Sequence, residues 1–361
     1  MEPIVIARAP GFITFGVGNL PSVPSSKLAE RLTVTAAVDY YAYAIITPSR
    51  STEVHISMAE GNGLVWHKRH SRSAWSTEAG MPEAIARLFG TREGLNIFLS
   101  AQAPLSIGLG LSGSLTVSMI KALAFSHGLD LEPGEVAALA CHVHSGLHNL
   151  QSYDPCQYAA ACGGLMGIVV AGSAIRVAPL RMKPVTQQSL ESQLMLFCAP
   201  KADHPSGDVD QDEQNSVASV QPRSVRARLA QDVNYRVQSA LERGDWVRLG
   251  DLLQHTWLEQ CRACNVDREN TLVGALHAAR DCGALGGQGT ALGSGLLVVL
   301  CPEKHQPDVT SALTARGLKR LPLALEPEGV QVMEAMPRTK LTSTSSLQDQ
   351  LLLRSHLSRT T

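Results

Sequence analysis

The stretch Ser106–Leu123, SIGLGLSGSLTVSMIKAL, brings Gly108, Gly110 and Gly113 together with Ser106, Ser112 and Ser114 just as an apolar helical pattern begins. Backbone N–H groups at a helix start have no partner inside the helix and attract anions. Glycine allows positive φ and lets a phosphate come close to the main chain. Gly108, Leu109, Gly110, Ser112, Gly113 and Ser114 are therefore candidate phosphate-binding positions, and either serine could cap the helix or touch a metal or phosphate oxygen. The loop contains no lysine, so it is not a Walker loop. Taken alone, the same residues also describe a tight turn with a serine cap. A second glycine-rich turn, Ala291–Gly295 (ALGSG), offers Gly293, Ser294 and Gly295 as a second wall of a cleft that could hold a polyphosphate from two sides. One cysteine pair, Cys261 and Cys264, has metal-like spacing, but a zinc site needs four ligands and no second pair accompanies it.

These residues need elements to position them. IVIARA and LTVTAAVDYYAYAIITP read as antiparallel strands, GLNIFLSAQAP as another, and GSLTVSMIKALAFSHG as a helix stopped by Gly128. A second helix starts after Pro133, and GGLMGIVVAG returns to strand. Beyond a long polar stretch, Ala199–Ser224, come helices over Val225–Glu242, Trp246–Arg262 and Thr271–Cys282, then the second glycine turn and an apolar strand. The expected class is α+β in two domains, 1–190 and 191–335, with a tail over 336–361 containing SLQDQLLLRSHL.

Composition narrows the function. Formal charge is −1 over 361 residues, which argues against nucleic acid or an anionic membrane as partner. No apolar run reaches the ~20 residues of a membrane helix. The N-terminus has no basic leader or cleavage site, so a cytoplasmic protein is expected. Eight cysteines scattered in apolar segments read as reduced, buried thiols. The oligomeric state is not legible.

Several segments, in order, resemble the galactokinase, homoserine kinase, mevalonate kinase and phosphomevalonate kinase (GHMP) superfamily, most closely its heptose-phosphate and sugar kinase branch. RAPGFITFGVGNLP is similar to the sugar-binding N-terminal motif, GLGLSGSLTV to the phosphate loop, DPCQYAAACGG to the catalytic segment and GALGGQGTALGSG to the third motif, with LEPEGVQV as closing strand. The resemblance implies a ribosomal S5 domain 2-like N-terminal domain and a ferredoxin-like C-terminal one. It also implies ATP over the first loop, Mg2+ assisted by Ser112, and a small sugar or sugar phosphate as the other substrate, with Asn19, Asp39 and the second glycine turn on the sugar side.

The pattern also breaks. Where the family carries an aspartate before QY, this chain has Cys156, with Asp154 as the remaining acid; the magnesium glutamate aligns with His144. An arginine becomes Phe12, an acidic residue Asn19, one loop serine Leu111, and a third-motif lysine Gln288. Phosphoryl transfer depends on cations and positioned acids. Three readings follow: a sugar kinase using Asp154, a pseudokinase that binds ligand or partner, and a repurposed enzyme in which Cys156 and His144 do other chemistry, as a nucleophile pair or with His148 as a metal site. The plainer account of Cys156 and His144 is a small buried thiol and a polar helix face.

Overall fold

The computed structural model describes residues 4–18, 30–50, 53–60, 63–70, 80–91, 94–148, 156–171, 174–199, 223–263, 271–290 and 295–335. The first half contains β1 (Val5–Phe15), β2 (Arg31–Pro48), β3 (Val54–Glu60), β4 (Gly63–His70), α1 (Met81–Leu88), β5 (Leu95–Ala101), α2 (Leu111–Ser126), α3 (Pro133–His148), α4 (Cys156–Cys162), β6 (Leu165–Ala171) and β7 (Ala174–Pro179). The second contains α5 (Pro184–Gln193), β8 (Leu194–Cys198), α6 (Arg223–Arg243), α7 (Trp246–Ala263), α8 (Thr271–Asp281), β9 (Gly286–Gly289), β10 (Leu296–Leu300), α9 (Gln306–Thr314), β11 (Lys319–Leu321) and β12 (Gln331–Ala335).

β2 organises the first sheet. Its β-branched and aromatic residues run for 18 residues and pair with β1 along most of that length. Its first half also pairs with β6 and its second half with β5, giving the order β12-β1-β2-β5-β3-β4 with β6 and β7 alongside. β1 extends past the expected IVIARA because this pairing carries it through Gly11 and Phe12 to Phe15. The ladder shifts register between Pro10 and Gly11, opposite Asp39 and Tyr40; such a bulge bends the strand locally.

α2 packs on β1 and β2 and is buried on nearly all sides from Ser114 to Ala124. An all-round apolar helix belongs inside a core, and its buried hydroxyls bond to main-chain carbonyls, Ser118 to Leu115 and Thr116 to Ser112. The second sheet has the order β11-β8-β10-β9. With helices after its first and third strands, this is the βαββαβ arrangement of a ferredoxin-like unit, so the α+β, two-unit architecture holds. A separate core of Phe197, Trp257, Leu276 and Val299 lies beneath it. None of Cys141, Cys162, Cys198, Cys261, Cys282 and Cys301 forms a disulfide. Among the described residues, no helix is long and apolar enough to cross a membrane.

One boundary differs from expectation. β12, assigned from sequence to a C-terminal domain over 191–335, pairs with β1 in the first sheet, Val5 opposite Ala335. Without it β1 would be an unpaired edge. The returning segment is anchored on the way: Leu325 bridges Val38, Gly164 N–H donates to the Glu326 carbonyl at 2.8 Å, and Val330 N–H donates to the Ala161 carbonyl at 3.0 Å. The buried Glu326 carboxylate accepts the Tyr41 hydroxyl, and the Arg8 guanidinium lies 4.3 Å from the Tyr41 ring centre. Burial and, next, the Glu326 hydrogen bond push the Tyr41 phenol up to about 12. An unfolded tyrosine loses its proton near pH 10; the folded one holds it until about 12. Stability from this contact is therefore complete below pH 10 and is lost as pH rises to 12. Urea midpoints measured from pH 9 to 12 should fall in the parent, and Tyr41→Phe should flatten that fall.

Candidate active site

The first glycine loop forms as a strand-to-helix connection. β5 ends at Ala101, Leu105–Ile107 makes a single 3-10 turn, and Gly108 and Gly110 both take left-handed backbone (φ 93° and 62°) before α2 starts at Leu111. Gly110 is the N-cap, with no side-chain cap bond, and the first turn has no acidic residue to repel an anion. The leading amides of α2, at Leu111, Ser112 and Gly113, therefore stand at an uncapped positive helix end, and Ser112 is exposed beside them. The only lysine of α2, Lys121, is occupied elsewhere, by the Leu131 carbonyl at 2.6 Å and Asp130 at 3.3 Å.

Two expected loop ligands face inward. Ser114 is fully buried, and its hydroxyl donates to the Pro10 carbonyl at 2.7 Å. It fastens the helix to β1, because α2 turns that face toward the sheet. Leu109 is likewise buried, and its carbonyl accepts the Phe12 N–H at 2.9 Å. Phe12, at the family's arginine position, is 7% exposed, and its ring rests against Gly110: a Cβ there would lie 2.2 Å from Phe12 Cε1. An apolar ring thus packs directly against Gly110 of the loop.

α3 and α4 close on the first turn of α2. The Cys141 thiol donates to Gln157 Oε1 at 3.4 Å, and a Cβ on Gly113 would lie 3.8 Å from Gln157 Cγ. His144 follows Cys141 by three positions and so lies on the same side of α3; it is half-buried. Burial pushes the neighbouring His142 imidazole below its ordinary value. Cys156 begins α4, and its side chain lies outside the described residues, as do Asp154, Asn19, Gly293, Ser294 and Cys264. The proposed facing of His144 and Cys156 therefore stands on the packing of α3 against α4 alone.

Asp39 lies exposed at the bulge, where its carboxylate accepts the Ala324 N–H at 2.9 Å. Gly295 is buried with φ 65°, and its carbonyl accepts the Ala199 N–H at 2.8 Å. In β9 the glycines preceding the second loop serve packing: a Cβ on Gly289 would lie 2.7 Å from Trp257 Nε1, and one on Gly287 2.3 Å from the Val298 carbonyl. Gln288, between them, points to the first unit and bonds Gly16 and Thr14.

For magnesium, Ser112 supplies one hydroxyl oxygen and His144 an imidazole, whereas the ion favours several oxygens. No cluster of three His, Cys, Asp or Glu suited to a metal occurs among the described residues. The described set does not fit the ion.

Comparison with known proteins agrees with this architecture. Residues 78–164 match the family described as GHMP kinases N terminal domain. The D-glycero-alpha-D-manno-heptose 7-phosphate kinase of Campylobacter jejuni is 25% identical over 196 residues, 54% of this chain, and the match spans 57% of that relative's length. A solved D-glycero-D-manno-heptose 1-phosphate kinase from Bacteriodes thetaiotaomicron superposes with a TM-score of 0.70 at 20% identity, covering 91% of this chain and 99% of that one. Lactococcus lactis galactokinase, solved with galactose, gives 0.68 at 14% identity, over 91% and 95%. The fold is that of the GHMP kinases. In sequence the chain is similar to that family model and to the heptose 7-phosphate kinase.

Proposed function

We propose that the protein transfers the terminal phosphoryl group of ATP to a hydroxyl of a sugar or sugar phosphate, a heptose-like one, with the anomeric hydroxyl as the first acceptor to test. The observation that carries this reading is the start of α2: left-handed Gly110, no side-chain cap, no acidic residue in the first turn, and Ser112 exposed. In the proposed mechanism the amides of residues 111–113 hold the phosphates, which needs no Walker lysine. Asp154 orients or deprotonates the accepting hydroxyl, and Asn19, Asp39 and the Gly293–Gly295 turn line the sugar side. No step is assigned to magnesium. Similarity to a heptose 7-phosphate kinase supports the sugar class.

The test is mass analysis of a panel containing D-glycero-α-D-manno-heptose 7-phosphate and galactose, after incubation with ATP in the presence and absence of magnesium. Phosphorylated product is expected from a heptose phosphate, and Asp154→Asn should lower its yield at least about 100-fold. No product with any sugar would refute the kinase reading.

A second reading, a pseudokinase, draws support from Phe12 under Gly110 and from Gln288, whose amide is spent on main chain. In that case the parent binds nucleotide without turnover, and the pair His144→Glu with Cys156→Asp creates transfer. Chemistry run by Cys156 itself would instead be abolished by Cys156→Ala, with an alkylating reagent labelling that thiol before the other seven.

A further inference from the structure

At the end of β1, Asn234 of α6 and Gln288 of β9 tie the two units together, accepting the Val17 N–H at 3.0 Å and the Gly16 N–H at 2.9 Å. A separate tie lies at the bulge of β2, beside the glycine loop. Pro10 pairs with Tyr41 and Gly11 with Val38, so Asp39 and Tyr40 are the extra residues of β2, without a counterpart on β1. Their polar groups are met by the strap 322–326, which follows β11 of the second sheet. The Asp39 N–H donates to the Ala324 carbonyl at 3.1 Å, and one Asp39 carboxylate oxygen accepts the Ala324 N–H at 2.9 Å. The Tyr40 hydroxyl donates to the Pro322 carbonyl at 2.9 Å, and the Glu326 N–H donates to the Ala37 carbonyl at 2.9 Å.

The bulge also bears on the glycine loop, through β1. Gly11 has main chain on both flanks: a Cβ there would lie 3.1 Å from the Tyr40 carbonyl oxygen, 2.9 Å from that of Leu109 and 3.2 Å from Leu111 Cδ2. Nothing larger than glycine fits without displacing one of these layers. Residues 10–12 then hold the loop at further points. The Pro10 carbonyl accepts the Ser114 hydroxyl at 2.7 Å, the Phe12 N–H donates to the Leu109 carbonyl at 2.9 Å, and the Phe12 ring lies against Gly110. Strap, bulge, β1 and loop are thus in direct contact in that order. Main-chain atoms carry most of the joints, so a shift of the bulge is not absorbed by rotating side chains.

We propose that Asp39 and Tyr40 are positioning residues for the nucleotide: by clasping the strap of the C-terminal unit they set the bulge, and through Gly11 they set the start of α2. This rests on the kinase reading for its ligand and on the contacts above for its geometry. It uses one carboxylate oxygen of Asp39. Coupling between two sites is reciprocal, so a nucleotide seated at residues 111–113 tightens the strap as much as the strap favours the nucleotide.

The experiment compares the full-length parent with four variants. Asp39→Ala removes the acceptor, and Ala324→Pro removes the donor without touching Asp39. Asp39→Asn keeps a side-chain oxygen that can accept the Ala324 N–H. Arg320→Ala is the control, because Arg320 bonds Gln306 and Thr310 on the other face of β11. Hydrogen exchange is resolved at Glu326, Phe12 and Ser114, with Val299 inside the second sheet as reference, and ATP affinity is titrated by calorimetry. Asp39→Ala and Ala324→Pro should each raise exchange at Phe12 and Ser114 about fivefold or more, and weaken ATP by a similar factor, while Val299 does not change. Asp39→Asn should keep Phe12 and Ser114 as protected as in the parent, and Arg320→Ala should alter neither exchange nor ATP affinity. Saturating ATP should slow exchange at Glu326 in the parent about fivefold. The proposal is overturned if the two disruptive variants loosen Glu326 but not Phe12 and Ser114, if Val299 loosens equally, or if ATP affinity holds while exchange rises. Should the parent bind no ATP, the kinase reading falls, and the Phe12 and Ser114 amides alone decide whether the strap positions the loop.

Discussion

Gly110→Ala is expected to cost about 3 kcal/mol of stability and to remove the ATP-dependent transfer proposed for this chain. Two effects add. Left-handed backbone disfavours alanine by about 1–2 kcal/mol, and Gly110 holds φ at 62°. The new methyl would also sit 2.2 Å from Cε1 of the buried Phe12 ring. Overpacking of this sort costs about 1–3 kcal/mol. To relieve both, the chain must turn the first residues of α2, and the amides at 111–113 then no longer converge. Urea unfolding and calorimetric ATP titration check the two parts separately. In a Phe12→Ala background, itself less stable than the parent, the added cost of Gly110→Ala should shrink to the backbone share. A Gly110→Ala protein that binds ATP like the parent would refute the assignment of the helix start as the phosphate site.

Gly329→Ala should be comparably severe, and for a reason remote from any ligand. A Cβ there would stand 1.9 Å from the Ala161 carbonyl oxygen and 2.7 Å from the Cys162 carbonyl carbon, both main-chain atoms of α4. Backbone cannot swing aside as a side chain can. The segment must lift, breaking the Val330 to Ala161 bond and unseating β12 from β1. We expect a loss of about 3 kcal/mol or more, read as a lower urea midpoint and as faster exchange along β1. Gly274→Ala is the matched control, since a Cβ at this position in α8 meets nothing within 4 Å. There the change should be neutral or stabilising by up to about 1 kcal/mol.

The strand-to-helix turn at Gly108–Leu111 was readable because its signals are local. Glycine and serine before an apolar helical run announce an exposed helix start, since left-handed turns and free amides depend on a few adjacent residues. The same locality explains the agreement at α3 after Pro133 and at the helix predicted over Trp246–Arg262, found at Trp246–Ala263. Ser114 was misread because a serine two residues from an exposed one looks equivalent in sequence, yet lies on the helix face that meets Pro10. The closing strand was placed in the wrong unit because LEPEGVQV gives no sign of which sheet it joins. In GALGGQG the glycines of β9 admit α7 and the neighbouring strand, which their spacing does not announce.

Asn234 gave no signal at all. Its partner Val17 is 217 residues away, and a lone asparagine within a polar helix pattern reads as surface. Phe12 and Gln288 were visible as departures from a motif, but their effects were not: one packs a ring beneath Gly110, the other secures Gly16. Backbone conformation, element type and the anion-attracting helix end follow from short stretches of chain, because the forces behind them act between near neighbours. Which side chains meet across the two units, and whether a hydroxyl faces ligand or core, depends on contacts among distant segments. Those exist only once both cores have packed.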